Sequence, residues 1–391
     1  MNSRNNALAL LSVAASNILA THVHSAQVAE QFQFGVRHHN YQEDPLTEPL
    51  GGSPERYDIN VNQFSLIAPL SDTADLSVSY QKEKMSGASP WYTLKFGDEE
   101  PLQVMSGASI EDTRTDVSAT LRVIDDFNSY GITAAVSEED DYKSASFGFK
   151  YSRETEKRLS TWSIAADFSN DDINPVDADI YTTRPMDTQS KHSASTLGSY
   201  SRILNKNTLL QLSVGLSKKS GYLSDPYKMV ITQQGLIGDA RPDSKISKTI
   251  ATQLRYFVDP MDAALHLDYR FYTDDWSIDS HTVDIAWYQN LLFDVQLIPS
   301  IRLYSQSQSY FYDVFYTQER ADNYYSTDYR LSEYGAVTLG LKLIKKFDSW
   351  SMTLSADKYS SSGDTFLANT DVENPALIDF TLVSFGFDLQ F

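Results

Sequence analysis

The chain has 391 residues, no cysteine, and 52 acidic against 32 Lys and Arg side chains, for a formal net charge of -20. Without thiols there are no disulfides, zinc–cysteinate sites or iron–sulfur clusters, and the acid excess argues against a phosphate-binding face and hence nucleic acid as a partner. A mean hydropathy of -0.37 does not exclude the membrane, because barrel strands alternate lipid-facing with water-facing residues, while 24 Tyr and 19 Phe argue against disorder.

Residues 1–26 read as a cleavable export signal. Arg4 supplies the charged start, 7–20 form an apolar stretch, and a small-residue cleavage site follows Ala26, although His24 fits that site poorly. The stretch is too short and interrupted to span a membrane as a helix, and no other segment approaches the roughly 20 apolar residues required.

Period-two alternation then predicts sixteen strands: 31–41, 56–67, 74–84, 113–124, 129–137, 141–153, 160–168, 191–204, 207–218, 247–258, 263–272, 276–288, 292–305, 331–346, 350–359 and 377–391. An even number is what a single-chain bacterial barrel requires. Connections after even-numbered strands are short. Six after odd-numbered strands are long: 42–55, 85–112, 169–190, 219–246, 306–330 and 360–376. Short turns at one end and long loops at the other are the asymmetry of outer-membrane barrels, with the long loops outside the cell. The expected fold is therefore all-β: one transmembrane antiparallel barrel over 27–391, of about 16 strands (14–18 tolerated). Only a few residues separate the cleavage site from the first strand, so no plug domain is expected.

The faces agree with this reading. In 114–123, Val117, Ala119, Leu121 and Val123 oppose Arg114, Asp116, Thr120 and Arg122. Residues on such polar faces are the candidate pore lining: Arg37, Arg114, Asp116, Arg122, Lys150, Asp167, Arg255, Asp268, Arg270, Asp284, Asp294, Arg302, Lys342 and Asp357. Unpaired rings of charge beside water would select ions or small polar solutes, whereas paired networks would brace and close the lumen. Asp112, Arg114 and Asp116, spaced i, i+2, i+4, can form such a brace.

Motifs elsewhere carry a family likeness. Ser86, Gly87, Ala88 and Ser89 open SGASPW, and Ser106, Gly107, Ala108 and Ser109 open SGASIEDTRTDV. SGYLSDPYK (220–228), RPDSK (241–245), LDYRFYTDDWSIDSHT (267–282) and FGFDLQF at the end complete the set. Together they resemble a family of proteobacterial outer-membrane β-barrel proteins catalogued as a domain of unknown function, and the likeness covers the mature chain. It implies a barrel and an outer-membrane location, with no established activity. It also implies a place beside periplasmic thioredoxin-like and flavin-transferase proteins, hence a periplasmic protein partner. The last strand, apolar at alternate positions and closing on Phe391, resembles the recognition signal read by the barrel-assembly machinery. The remaining expected partners are outer-membrane lipid and lipopolysaccharide.

Enzymatic constellations are weak. In the strand 191–204, His192 shares a face with Ala194, so the position wanted for a serine nucleophile is alanine. His266 and Asp268 share a face, where a lumenal charge network beside Arg270 is the simpler reading. His38 and His39 point to opposite faces and cannot chelate one ion. The acidic runs 138–141 and 170–179 can bind Ca²⁺ or Mg²⁺ through carboxylate oxygens, but their spacing matches no EF-hand, and a solvated outer loop bridging loosely to lipopolysaccharide phosphates is the simpler reading. The tyrosine-rich 310–325 either rests on headgroups or folds inward. No catalytic residue, metal site or cofactor is expected. The expected function is a plug-free, porin-like channel for small polar solutes or ions. The alternative is a non-enzymatic scaffold or export partner of a periplasmic redox or modification pathway.

Overall fold

Side chains alternate across a strand, so sixteen amphipathic segments can hide their polar faces from lipid only by closing into a ring, which also removes the sheet edges. The computed structural model describes residues 28–47, 49–106 and 110–391. The export signal, Gly107, Ala108 and Ser109 lie outside them.

In chain order the strands are β1 (Gln33–Glu43), β2 (Asp58–Ser71), β3 (Ala74–Gly87), β4 (Pro90–Leu94), β5 (Leu102–Met105), β6 (Ile110–Asp125), β7 (Asn128–Glu138), β8 (Tyr142–Glu154), β9 (Ser160–Ile173), β10 (Gln189–Asn205), β11 (Thr208–Gly221), β12 (Met229–Thr232), β13 (Gly235–Gly238), β14 (Ser244–Val258), β15 (Ala263–Asp274), β16 (Asp279–Leu291), β17 (Val295–Gln306), β18 (Tyr334–Lys346), β19 (Trp350–Ser362) and β20 (Phe380–Gln390). Sixteen of them form one closed antiparallel barrel, and β4–β5 and β12–β13 are separate two-stranded sheets. All sixteen expected strands are there. The seam joins β1 to β20 from Gln33↔Gln390 to Glu43↔Phe380, and below it Phe32 and Phe391 exchange two backbone hydrogen bonds of 3.1 and 3.0 Å with their rings stacked.

Strand ends differ from expectation where loops decide them. β9 runs on to Ile173 and β19 to Ser362, beyond the alternating pattern. A 3-10 turn, Leu292–Asp294, precedes β17, with Phe293 and Asp294 at φ of 64° and 55°. Asp294 therefore belongs to a turn and not to the barrel wall, a correction to its place among the lining residues.

The outward face carries the apolar residues, among them Val117, Leu121, Ile164, Phe168, Leu212 and Leu354, all well exposed, as hydrocarbon-facing positions must be. Near the short-turn end this face bears the aromatic pairs Tyr130–Tyr151, Trp162–Tyr200 and Phe347–Trp350, amphipathic or planar rings suited to a membrane interface. The well-packed core lies at the long-loop end. There Tyr41, Tyr57, Ile59, Val61 and Met85 form one buried cluster, and Trp276, Ile278, Phe311, Tyr312, Val314 and Leu331 form another.

Candidate functional site

Register places thirteen of the fourteen expected lining residues on the inward face. They lie along the wall. Arg37 makes a two-pronged contact with Asp388, 2.6 and 2.8 Å from Nη2. Arg255 grips Asp268, with Nη2 to Oδ2 at 2.9 Å, Arg302 pairs with Asp284, and Arg122 pairs with Asp75. Arg114 lies 3.0 Å from Asp116. Among the described residues, each ion pair on the wall joins positions on one strand or on neighbours. Space for this comes from absent side chains: a Cβ at Gly386 would sit 2.8 Å from the Arg37 Cδ, and one at Gly148 would sit 2.6 Å from the Asp167 Oδ1. Asp357 lies likewise across Gly340, with Lys342 on the adjacent strand. Lys150 shares the inward face of β8. Arg270 donates to the Thr282 hydroxyl at 3.3 Å. His266 packs at a tilt against Tyr288 with centroids 4.0 Å apart, and Asp268 is taken by Arg255, so the His266–Asp268 pair is not assembled as an acid–base couple.

Sequence reasoning singled out charges and missed the hydroxyls between them. From β6 to β11 one inward row reads Ser118, Ala135, Ser146, Ser169, Ser193, Lys219. The row nearer the turns reads Thr120, Thr133, Gly148, Asp167, Ser195, Ser217 and then Ser247 on β14. Small side chains cannot fill a barrel of this size, which is wide enough to hold water unless loops occupy it. A recess of about 260 Å³ lies on this wall beside Gln81, Arg114, Asp116, Ser144 and Ser146. A larger one, about 610 Å³, sits by Phe127 and Trp162 near the short-turn end and has no part in the lumen.

The mouth at the long-loop end is roofed. The connection after β3 reaches the one after β17 through the Thr93 hydroxyl, which donates to the Val314 carbonyl. The Lys228 ammonium, from the connection after β11, donates to the Pro90 carbonyl at 3.2 Å. Arg330 reaches Asp225 at 3.0 Å, and Ala240 forms a bridge with Tyr325. Around the ring these three connections are rooted six, six and four strands apart, so they meet by reaching over the opening. Connection 174–188 joins through Val176 and Tyr227, and 363–379 joins through Asn374, which donates to the Tyr312 hydroxyl and the Thr327 carbonyl. The tyrosine-rich segment thus packs into the roof, with Phe311, Tyr312, Tyr316 and Tyr325 buried.

With this geometry in hand, a family model described as a protein of unknown function, DUF3570, matches residues 5–374. This chain belongs to the DUF3570 family. No curated protein matches it. Among solved structures, a bacterial polysaccharide outer membrane secretin is similar at 7% identity and a TM-score of 0.50, covering 93% of this chain and 99% of that one. CdiB from Acinetobacter baumannii is similar at 8% and 0.50, covering 93% and 60%. The siderophore receptor PirA from Pseudomonas aeruginosa is similar at 10% and 0.46, covering 92% of this chain and 62% of the receptor. The DUF3570 chain thus spans less than two thirds of the latter two, and the likeness is one of fold: an outer-membrane β-barrel.

One further cluster of this DUF3570 barrel was misjudged from sequence. The run 138–141 is not simply a solvated loop: Glu139 and Asp141 are buried, and with Asp112 they bring one carboxylate oxygen each within 4.8 Å of one another. Burial pushes the Glu139 carboxyl up to about 9, against the pull of Arg114 and with the help of Asp112 and Asp141. The signal was one of pairing: Asp112 and Glu139 come together because β6 and β7 pair from Thr115↔Glu138 downward. That register, and not spacing along the chain, sets the contact.

Proposed function

We propose that this protein is a channel of the bacterial outer membrane for small polar solutes, with its long loops outside the cell and its roof as the constriction. The observation that carries the reading is the hydroxyl-lined sector of wall from β6 to β14, beside charges that pair along the wall and leave the lumen uncrossed. Paired charges cancel at a distance, so the lumen offers hydrogen bonds to a solute more than a net field, which favours neutral polar solutes over strong ion selection. The roof limits passage by size.

The test is conductance of the refolded full chain in planar bilayers, alongside a variant lacking 229–238, the β12–β13 hairpin. Discrete steps in the parent, enlarged in the variant, are expected. A barrel that conducts in neither form sinks the channel and leaves a scaffold.

A further inference from the structure

We infer that Asp112, Glu139 and Asp141 form a binding site for a hard divalent cation of the calcium class, fastening the roof to the barrel wall. The inference does not depend on whether the barrel conducts.

Three buried carboxylates with oxygens within 4.8 Å of one another repel strongly in a poorly hydrated place, so something must offset their charge. Arg114 is the cation nearest at hand, but its guanidinium is committed elsewhere: Nε donates to the Ser137 hydroxyl at 2.9 Å and Nη2 to Asp116 at 3.0 Å. Glu139 lies 3.6 Å away from it. Glu83, 1% exposed, adds a further carboxylate acting on Glu139. Glu83, Asp116 and Glu139 thus share one arginine, and Asp112 and Asp141 add to the charge around Glu139.

The independent pointer is Glu139 itself. It is 5% exposed, and its Oε2 is buried with no hydrogen-bond partner. Buried polar atoms in folded proteins are nearly always satisfied, and a carboxylate oxygen left bare among other carboxylates is what a metal ion satisfies. The donor set is oxygen only. That chemistry selects Ca²⁺ or a similar hard ion over zinc or copper, which favour nitrogen and sulfur.

The site also has a structural consequence. Asp112 belongs to β6, whereas Glu139 and Asp141 belong to the β7–β8 connection. Asp141 accepts a hydrogen bond from the Tyr227 hydroxyl, which comes from the roof connection after β11, and its carbonyl accepts from the Asn174 amide at 2.8 Å. An ion here ties β6 and the β7–β8 connection to two roof connections.

Tyr227 provides the probe. Tb³⁺, a hard ion of similar size to Ca²⁺, is titrated into chelator-treated, refolded full chain in lipopolysaccharide-free detergent, with excitation in the tyrosine band. A saturable phase of sensitised emission, displaced by excess Ca²⁺, is expected. It should be lost in Asp112→Asn/Asp141→Asn, whose heat-modifiable gel mobility shows that the barrel still folds. Ca²⁺ should also slow proteolysis within 222–243 in the parent and not in the variant. Glu139→Gln mimics the rival solution, a shared proton. If the parent shows no saturable phase, or if Ca²⁺ protects neither the parent nor Glu139→Gln while both resist protease equally, the cation site is overturned.

Discussion

Asp328 has no exposed surface and holds three cations: Arg241 at 2.7 Å, Arg330 in a two-pronged contact, and Lys228 at 3.9 Å. Burial alone would raise its carboxyl. Arg330, Lys228 and Arg241 outweigh burial and hold it well below the usual carboxylate range. A folded-state pKa below the unfolded value stabilises fully above the ordinary value of 3.8, and that stability is lost progressively as pH falls below it. The roof is therefore expected to loosen in acid. Asp328→Asn, which removes the carboxylate shared by three cations and leaves the buried Lys228 without its ion-pair partner, should cost about 3–5 kcal/mol, seen at neutral pH as faster proteolysis of 307–333. Unchanged cleavage would remove Asp328 from its place at the centre of the roof. Nothing in the sequence marked this residue. DNYYSTDYR (322–330) reads as a polar loop, because apart from Arg330 the partners of Asp328 come from 228 and 241 and only folding brings them together. The wall charges were legible, since period two alone assigns Arg37 or Arg255 to a face. Their pairing partners were not, because strand register decides them.

At the scale of elements, two glycines turn barrel strands into the roof. Gly87 ends β3 at φ 136° and Gly221 ends β11 at φ 103°. A Cβ on Gly87 would collide with the Arg56 carbonyl, and one on Gly221 with the Ser190 carbonyl. Both positions thus exclude a side chain for conformational and steric reasons. Gly87→Ala and Gly221→Ala should each cost about 1–3 kcal/mol from backbone conformation, with the collision added. The expected readout is a lower melting temperature of the roof, followed by near-ultraviolet circular dichroism of its buried tyrosines. A variant that melts like the parent would show the turns to be adaptable. Here the sequence was half informative. The strands before these glycines were plain from alternation, with ends expected at 84 and 218 and found at 87 and 221. The hairpins beyond were missed, although β12 and β13 are short apolar runs separated only by Gln233 and Gln234, with Gly235 at φ 112°. Four-residue strands are too short for period two to stand out, and what stabilises them is packing against other loops, such as Val230 against Tyr316 and Tyr325.

The whole molecule joins two kinds of stability. The barrel is a closed ladder without edges, and its two register shifts, at Pro69/Ser71 and Ile203/Asn205, both lie beside short turns. In hydrocarbon none of its backbone bonds can be exchanged for water, so opening it is costly. The roof is held by buried ion pairs, tyrosine hydrogen bonds and small apolar clusters, all bordered by water, and local opening of such units lies far below global unfolding. Two separate transitions should follow. Below pH 3.8, where Asp328 begins to lose its advantage, pepsin should cut within 88–109, 222–243 and 307–333 while the protein keeps the gel mobility of a folded barrel. Asp328→Asn should shift that cleavage to higher pH and leave the heat needed to unfold the barrel nearly unchanged. On the proposed channel function, the same treatments should enlarge the conductance steps, because the roof covers the opening. Loss of barrel mobility together with roof cleavage would mean that the two fold as one unit, and the constriction could then not open by itself.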